Sequence, residues 1–234
     1  MKIARRELEA AGVANVEQIV SESRQPAETI HKLADEIDAD LVIMATHGRA
    51  GLKHSFIGSI TERTLRTSLV PVLGVKDNGT DMDQVRRILL PTDFSPPSQE
   101  AMKVACTLAE RFGAAIEILF VLDEWPGYLP YVSAEATDFE SRARAVMGDR
   151  LDSLAAEISK SNIAVKAHLR HGIAADVIVD EADRLGSDLI VMGTHGHRGM
   201  AHFTLGSVTE RSLRMAPCSV LTTRAAPEDS IRTD

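Results

Sequence analysis

The residues best suited to chemistry sit in one glycine-rich stretch. Gly193-Thr194-His195-Gly196 is followed by nine residues and then by Gly206-Ser207. Gly193 and Gly196 allow a tight backbone turn and a close approach to a ligand with no Cβ in the way. Successive N–H groups in such a turn form a concavity that suits an anion. Gly206-Ser207 is placed to open a helix, whose N-terminus offers unpaired N–H groups and a favourable dipole. Ser207 and Glu210 fit a capping box. The chemistry this pattern predicts is phosphate binding. Neither a G-x-x-x-x-G-K-[ST] loop nor a G-x-G-x-x-G turn occurs.

Other reactive side chains do not assemble into a pattern. His195, His197 and His202 lie in the same loop, and His47 and His54 echo two of them. A zinc site needs converging ligands of fixed geometry, and no cysteine or carboxylate joins these histidines, so solvent-facing or phosphate-facing roles and no metal site are expected. Cys106 and Cys218 form no metal-type pair. They read as buried free thiols of a reducing cytoplasm. Arg211 and Arg214, like Arg63 and Arg66, suit the C-terminal ends of short helices facing solvent.

The elements that must position the glycine turns occur twice. Residues 40–73 match 188–221 at a constant offset of 148, with 17 of 34 positions identical and no gap. The chain is therefore a tandem repeat. In the second copy, 86–91 (RRILLP) is a short strand, Ser95-Pro96 a helix start, and Gly113 that helix's end. Residues 114–122 form a buried strand, 134–159 a long helix, 163–170 a strand, and 174–185 a helix ending at Gly186. The strand 188–192, the helix 208–215 and the strand 218–222 follow. Alternating strands and helices imply an α/β fold with an open parallel sheet covered on both faces. Ligands of such sheets sit beyond the carboxyl ends of the strands, where strand order reverses.

The first copy is incomplete. Residues 1–12 match the end of the long helix and 15–23 the strand after it, with no counterpart to the first strand, first helix and second strand. The organisation expected is an incomplete first domain over 1–76, a linker over 77–84, a complete domain over 85–224, and a disordered tail over 225–234. An N-terminal truncation of about 60–70 residues, within an ordinary domain size, is one expectation. Strands supplied by another chain, or packing of the copies through their last strands (70–75 against 218–223), are the rivals.

Composition narrows the partners. The net charge of −8 disfavours a non-specific nucleic-acid or membrane-surface binder. No apolar run approaches the roughly 20 residues that span a bilayer, and the first residues lack a signal peptide's apolar core. A cytoplasmic protein is expected.

The spacing Gly-x2-Gly-x9-Gly-Ser in this strand context resembles the ATP-binding signature of the universal stress protein family. Asp93, in LLPTDFS, matches the family's aspartate at the end of the first strand. The resemblance implies a Rossmann-like sheet of the adenine-nucleotide α-hydrolase type, of strand order 3-2-1-4-5, in tandem. It assigns Pro91 and Asp93 to the adenosine end, and the main chain of Val121 to the adenine. Met192, Gly193, His195, Gly196, His197 and Arg198 would line the ribose and phosphates. Gly206, Ser207, Val208 and Thr209 would hold the phosphates. Ala45 replaces the first glycine in the first copy, so no second site is expected there.

The function implied is an ATP-binding, nucleotide-dependent stress-response regulator. Mg²⁺ or Mn²⁺, if bound, would be held by the phosphates. A homodimer or an intrachain pseudo-dimer through the last strands is implied, with a protein partner the sequence does not name. A slow ATP hydrolase and a dimerisation module without ligand are the alternatives. No poised general base, metal-ligand carboxylate pair or catalytic lysine supports turnover. Trp125, Tyr128 and Tyr131 are set in a Pro/Gly-rich loop, to close over adenine or to pack on the adjacent helix.

Overall fold

Short apolar runs bounded by helix caps arrange this chain as alternating strands and helices. The central runs of the second copy, Arg87–Pro91, Ala115–Asp123 and Leu189–Gly193, are too apolar to lie on a surface, so they become strands covered by helices. A computed structural model describes residues 2–46, 57–76, 84–123, 134–194 and 205–224. The first copy contributes helix α1 (Lys2–Ala10), α2 (Pro26–Glu36), strand β1 (Val42–Ala45), α3 (Ser59–Thr67) and β2 (Val72–Val75). The second contributes β3 (Arg87–Pro91), α4 (Pro96–Phe112), β4 (Ala115–Asp123), α5 (Ala134–Ser159) and β5 (Val165–Gly172). It ends with α6 (Ala174–Leu185), β6 (Leu189–Gly193), α7 (Ser207–Met215) and β7 (Ser219–Thr223).

One sheet of seven strands runs through both copies in the order β1-β2-β7-β6-β3-β4-β5. Within the second copy this is the expected 3-2-1-4-5 order, with every pairing parallel. The copies meet at their last strands, antiparallel, with Val72 opposite Thr222, Leu73 opposite Leu221 and Gly74 opposite Val220. Leu73 and Leu221 are repeat equivalents, so the junction is a pseudo-twofold axis inside one chain. It is closed by a reciprocal clasp. Lys76 Nζ donates to the carbonyls of Arg214 (3.1 Å) and Ala216 (2.5 Å) at the end of α7, and Arg224 Nη2 donates to Arg66 O (2.7 Å) at the end of α3. Lys76 and Arg224 are themselves repeat equivalents.

Two cores flank the sheet. On one face, Ile88, Leu90, Ile116, Ile118, Leu189 and Val191 meet Ala101, Ala105 and Ala109 of α4 and Leu151 and Ile158 of α5. On the other, Leu89, Leu119, Ile190 and Val220 meet Ile178 and Ala182 of α6 and Leu213 of α7. A charged network is set between β4, β5 and α6. The buried carboxylate of Glu117 lies 2.6 Å from His168 Nε2, and Arg170 Nε donates to Glu181 Oε1 at 2.8 Å. Hydrogen bonds from Arg184 and Arg170 outweigh the burial of the Glu181 carboxyl and hold its pKa down to about 2. Cys218 is buried and its thiol is pushed up to about 12 by that burial, as the sequence suggests for an inert thiol. Cys106 is only half-buried, against the expectation for it: it packs at the margin of the core, between buried Ala105 and exposed Thr107 on α4.

Three further expectations are corrected. Residues 15–23 form no strand; the segment has no regular secondary structure, and Ile19 and Val20 are 51% and 69% exposed. A third strand pairs with a second strand, and the first copy has none to offer. Ser207 is not a capping residue. Gly206 occupies the N-cap position with φ −63° and ψ 140°, no side chain caps the helix, and Ser207 is the first residue of α7. Arg211 and Arg66 are not simply solvated: Arg211 pairs with Asp176 of α6 at 2.6 Å, and Arg66 with Glu62 at 2.6 Å. Elsewhere the match is close, and α5 and α6 span the residues expected from their patterns. The linker up to residue 83, the tail, and Trp125, Tyr128 and Tyr131 lie outside the described residues. No described helix is long and apolar enough to cross a membrane.

Candidate functional site

The carboxyl ends of three adjacent parallel strands, β6, β3 and β4, bring most of the expected residues to one edge of the second copy. Chain direction reverses its march across the sheet at β3: β4 lies on one side and β6 on the other. The space beyond β3 is therefore the crevice where doubly wound sheets take ligands.

The turn between β3 and α4 forms one wall. Pro91 ends β3 and is buried. The Thr92 N–H donates to Leu119 O at 2.9 Å, which pins the turn to β4. Three further bonds fix it: Phe94 N–H to Thr92 Oγ1 (3.0 Å), Ser95 N–H to Asp93 Oδ1 (3.0 Å) and Ser98 N–H to Ser95 Oγ (3.5 Å). Ser95 caps α4 as its sequence position predicts, with prolines in the first turn. The half-buried Asp93 is thereby held between strand and helix.

Val121 belongs to the second wall. The β3–β4 ladder ends at Pro91 opposite Leu119, while β4 runs on to Asp123. Val121 therefore lies past the end of the β3 ladder, with β5 still paired on its far side at Arg170. Its main chain on the crevice side is not taken up by that ladder.

The third wall is the rim of the glycine loop. Met192 is buried in β6 and Thr194 just after it. Thr194 N–H donates to Thr223 O (2.8 Å), Gly206 N–H to Thr194 O (2.9 Å), and Thr209 Oγ1 to Gly193 O (2.8 Å). These bonds bring the two ends of the loop together, so that the segment between them is closed at its base. Ser207 is exposed and Val208 half-buried at the start of α7. His195, Gly196, His197 and Arg198 lie outside the described residues, as does His202. Among the described residues no cluster of His, Cys, Asp and Glu is arranged to hold a metal ion.

Gly193 has a reason to be glycine that its motif does not suggest. A Cβ there would lie 2.8 Å from Pro97 Cβ and 2.9 Å from Pro97 C. Real Cβ atoms do not approach that closely, so glycine is what lets α4 dock on the end of β6. Thr223 Oγ1 donates to Pro97 O at 3.3 Å and holds the same contact from β7. Pro97 thus couples the aspartate turn to the loop rim. Sequence reading misses it because the contact joins residues 96 positions apart.

The rim is repeated in the first copy. Thr46 N–H donates to Val75 O (2.9 Å), Gly58 N–H to Thr46 O (3.0 Å) and Thr61 Oγ1 to Ala45 O (3.0 Å). The two described rims are the same construction at an offset of 148 residues.

This duplicated rim, set in a 3-2-1-4-5 sheet, agrees with the match to known proteins. The model of the universal stress protein family matches residues 2–76 and 84–224. The chain belongs to the universal stress protein family. Universal stress protein MJ0531 of Methanocaldococcus jannaschii is 31% identical over 140 residues, which cover 58% of this chain and 80% of that protein. A universal stress protein E homolog of Haemophilus influenzae is 24% identical over 213 residues, 87% of this chain and 68% of its own length. A universal stress protein of Archaeoglobus fulgidus superposes with a TM-score of 0.71 over 97% of this chain and 76% of its own, at 22% identity. That likeness reports the fold, across both copies of this family member.

Proposed function

We propose that this universal stress protein binds one ATP per chain, in its second copy, and acts as a nucleotide-dependent regulator of a stress response. The observation that carries the reading is the convergence of the Asp93 turn, the overhanging end of β4 at Val121 and the closed rim of the glycine loop around one crevice. Asp93 would accept from the ribose, the Val121 main chain would meet the adenine edge, and the N-terminus of α7 would face the phosphates. A divalent cation, Mg²⁺ or Mn²⁺, would be held mainly by those phosphates and by water. The proposed setting is the cytoplasm, with a protein partner that reads the nucleotide state.

The test is a native mass spectrum of protein purified without added nucleotide, followed by calorimetric titration with ATP. One equivalent per chain is expected, and Gly206→Val should abolish binding by filling the space beside the phosphates. Binding that survives this change unaltered overturns the assignment. Turnover of about 1 s⁻¹ or faster, an ordinary enzymatic rate, would replace the regulator with a hydrolase.

A further inference from the structure

Among the described residues outside glycine, four have positive φ. Three are Asn15, Asp38 and Asn162; the fourth is Phe94, at φ 62°. Asparagine and aspartate tolerate the left-handed region, whereas a bulky aromatic there is an outlier that surrounding structure has to enforce. The enforcement is visible. The Phe94 ring is 9% exposed and stacks on Phe120 at 5.4 Å between centroids and 29° between planes. The guanidinium carbon of Arg150, from α5, sits 4.0 Å from the centre of the same ring. This geometry suits both an offset aromatic pair and a cation–π contact.

The position of the strain is what matters. Phe94 directly follows Asp93, and Phe120 directly precedes Val121. The ring stack therefore ties together the two points assigned to the adenosine end of the ligand. The left-handed turn at Phe94 also aims the Ser95 N–H back at Asp93 Oδ1, which orients that carboxylate.

We infer that Phe94, clamped by Phe120 and Arg150, is the positioning and specificity-determining residue of the nucleotide site, fixing the separation between the Asp93 carboxylate and the Val121 main chain. The inference rests on the proposed nucleotide reading. It assigns base selectivity to a residue that need not touch the base. With the clamp loosened, the carboxylate and the main-chain edge are no longer held at the spacing of an adenosine, and discrimination falls together with affinity.

The test compares wild type with Phe94→Gly, Phe120→Leu and Arg150→Met by titration with ATP and with GTP, alongside thermal melts and amide exchange at Ser95. Glycine adopts the observed φ without strain, so Phe94→Gly should remain folded while exchanging its Ser95 amide faster. Its ATP affinity should fall about tenfold, some 1.4 kcal/mol, and its preference for ATP over GTP should shrink. Phe120→Leu and Arg150→Met should shift the same ratio in the same direction by less. A purely structural role would lower the melting temperature and leave the ATP-to-GTP ratio unchanged, and that result overturns the inference. Wild-type protein that binds neither nucleotide overturns the nucleotide reading itself, and the inference with it. Wild-type binding matched by an unaltered Phe94→Gly overturns the inference alone.

Discussion

The two copies share their rim but not its surroundings. In the second copy α4 covers the sheet, and Leu189 and Val191 of β6 are fully buried beneath it. In the first copy no described helix takes that place, and the equivalent Leu41, just before β1, and Ile43 of β1 are 40% and 63% exposed. The same contrast explains the one break in the motif. Gly193 leaves room for Pro97, whereas Ala45 is exposed and its Cβ stands where no described residue of an α4 counterpart presses on it. The missing glycine of the first copy is therefore a packing signal before it is a ligand signal. Hydroxyl-to-carbonyl ties such as Thr209 to Gly193 and Thr61 to Ala45 persist in both copies because they close the loop locally, with no help from α4.

The largest expected effect comes from removing the same side chain in each copy. Leu189→Ala takes a fully buried leucine from between α4 and the sheet and should cost about 2–5 kcal/mol. Leu41→Ala removes an exposed leucine with no described helix above it and should cost less than about 1 kcal/mol. Urea titrations of the two variants check this. Equal costs would mean that the bare face of β1 is covered in solution, and the contrast between the copies would disappear.

Next in size is the exchange of glycine and alanine at the two rims. Gly193→Ala forces a Cβ against Pro97, including its main-chain atoms, so α4 must shift; overpacking of this kind costs about 1–3 kcal/mol. Because Pro97 couples the rim to the Asp93 turn, ATP binding should weaken in the same variant. Ala45→Gly meets no such barrier and should cost only the strand flexibility of glycine, about 0.5–1 kcal/mol. If Gly193→Ala leaves stability intact but abolishes binding, the glycine serves the phosphates directly and the packing explanation is wrong.

Legibility from sequence follows the range of the interactions. The elements of the second copy, the Ser95 cap and the Gly113 and Gly186 helix ends are set by neighbours in the chain, and the sequence places them closely. The alternation of strands and helices carries the fold class, and the pairing of the last strands is one of the alternatives the sequence leaves open. The constraint on Gly193, the aromatic clamp at Phe94 and the Glu117–His168 pair arise from residues tens of positions apart, and no local pattern announces them. The strand expected over residues 15–23 has a strand-like pattern but no neighbour to pair with, since a ladder needs two strands. The capping box at Ser207 is misplaced by one position because Gly206 has the extended backbone of a cap without needing a side chain.

The smallest effect concerns the clasp at the pseudo-twofold junction, where the copies differ in one chemical detail. Lys76 reaches two carbonyls at the end of α7, and Arg224 reaches one at the end of α3. Each cation satisfies carbonyls that a helix C-terminus leaves unpaired. Methionine keeps most of the apolar stem and removes the donor, so Lys76→Met and Arg224→Met should each cost about 1 kcal/mol. The two ends of the clasp lie six ladder positions apart, roughly 20 Å at 3.4 Å per residue, so their costs should add in the double variant. The pH dependence separates them. Burial lowers the pKa of Lys76 below its ordinary 10.5. The folded state therefore binds fewer protons than the unfolded state as pH climbs toward that value, and stability rises with pH through the window. Lys76→Met should abolish that rise, and Arg224→Met should leave it in place. A double variant that loses far more than the sum, as measured by urea titration, would show that the two contacts act as one unit and that the junction opens as a whole.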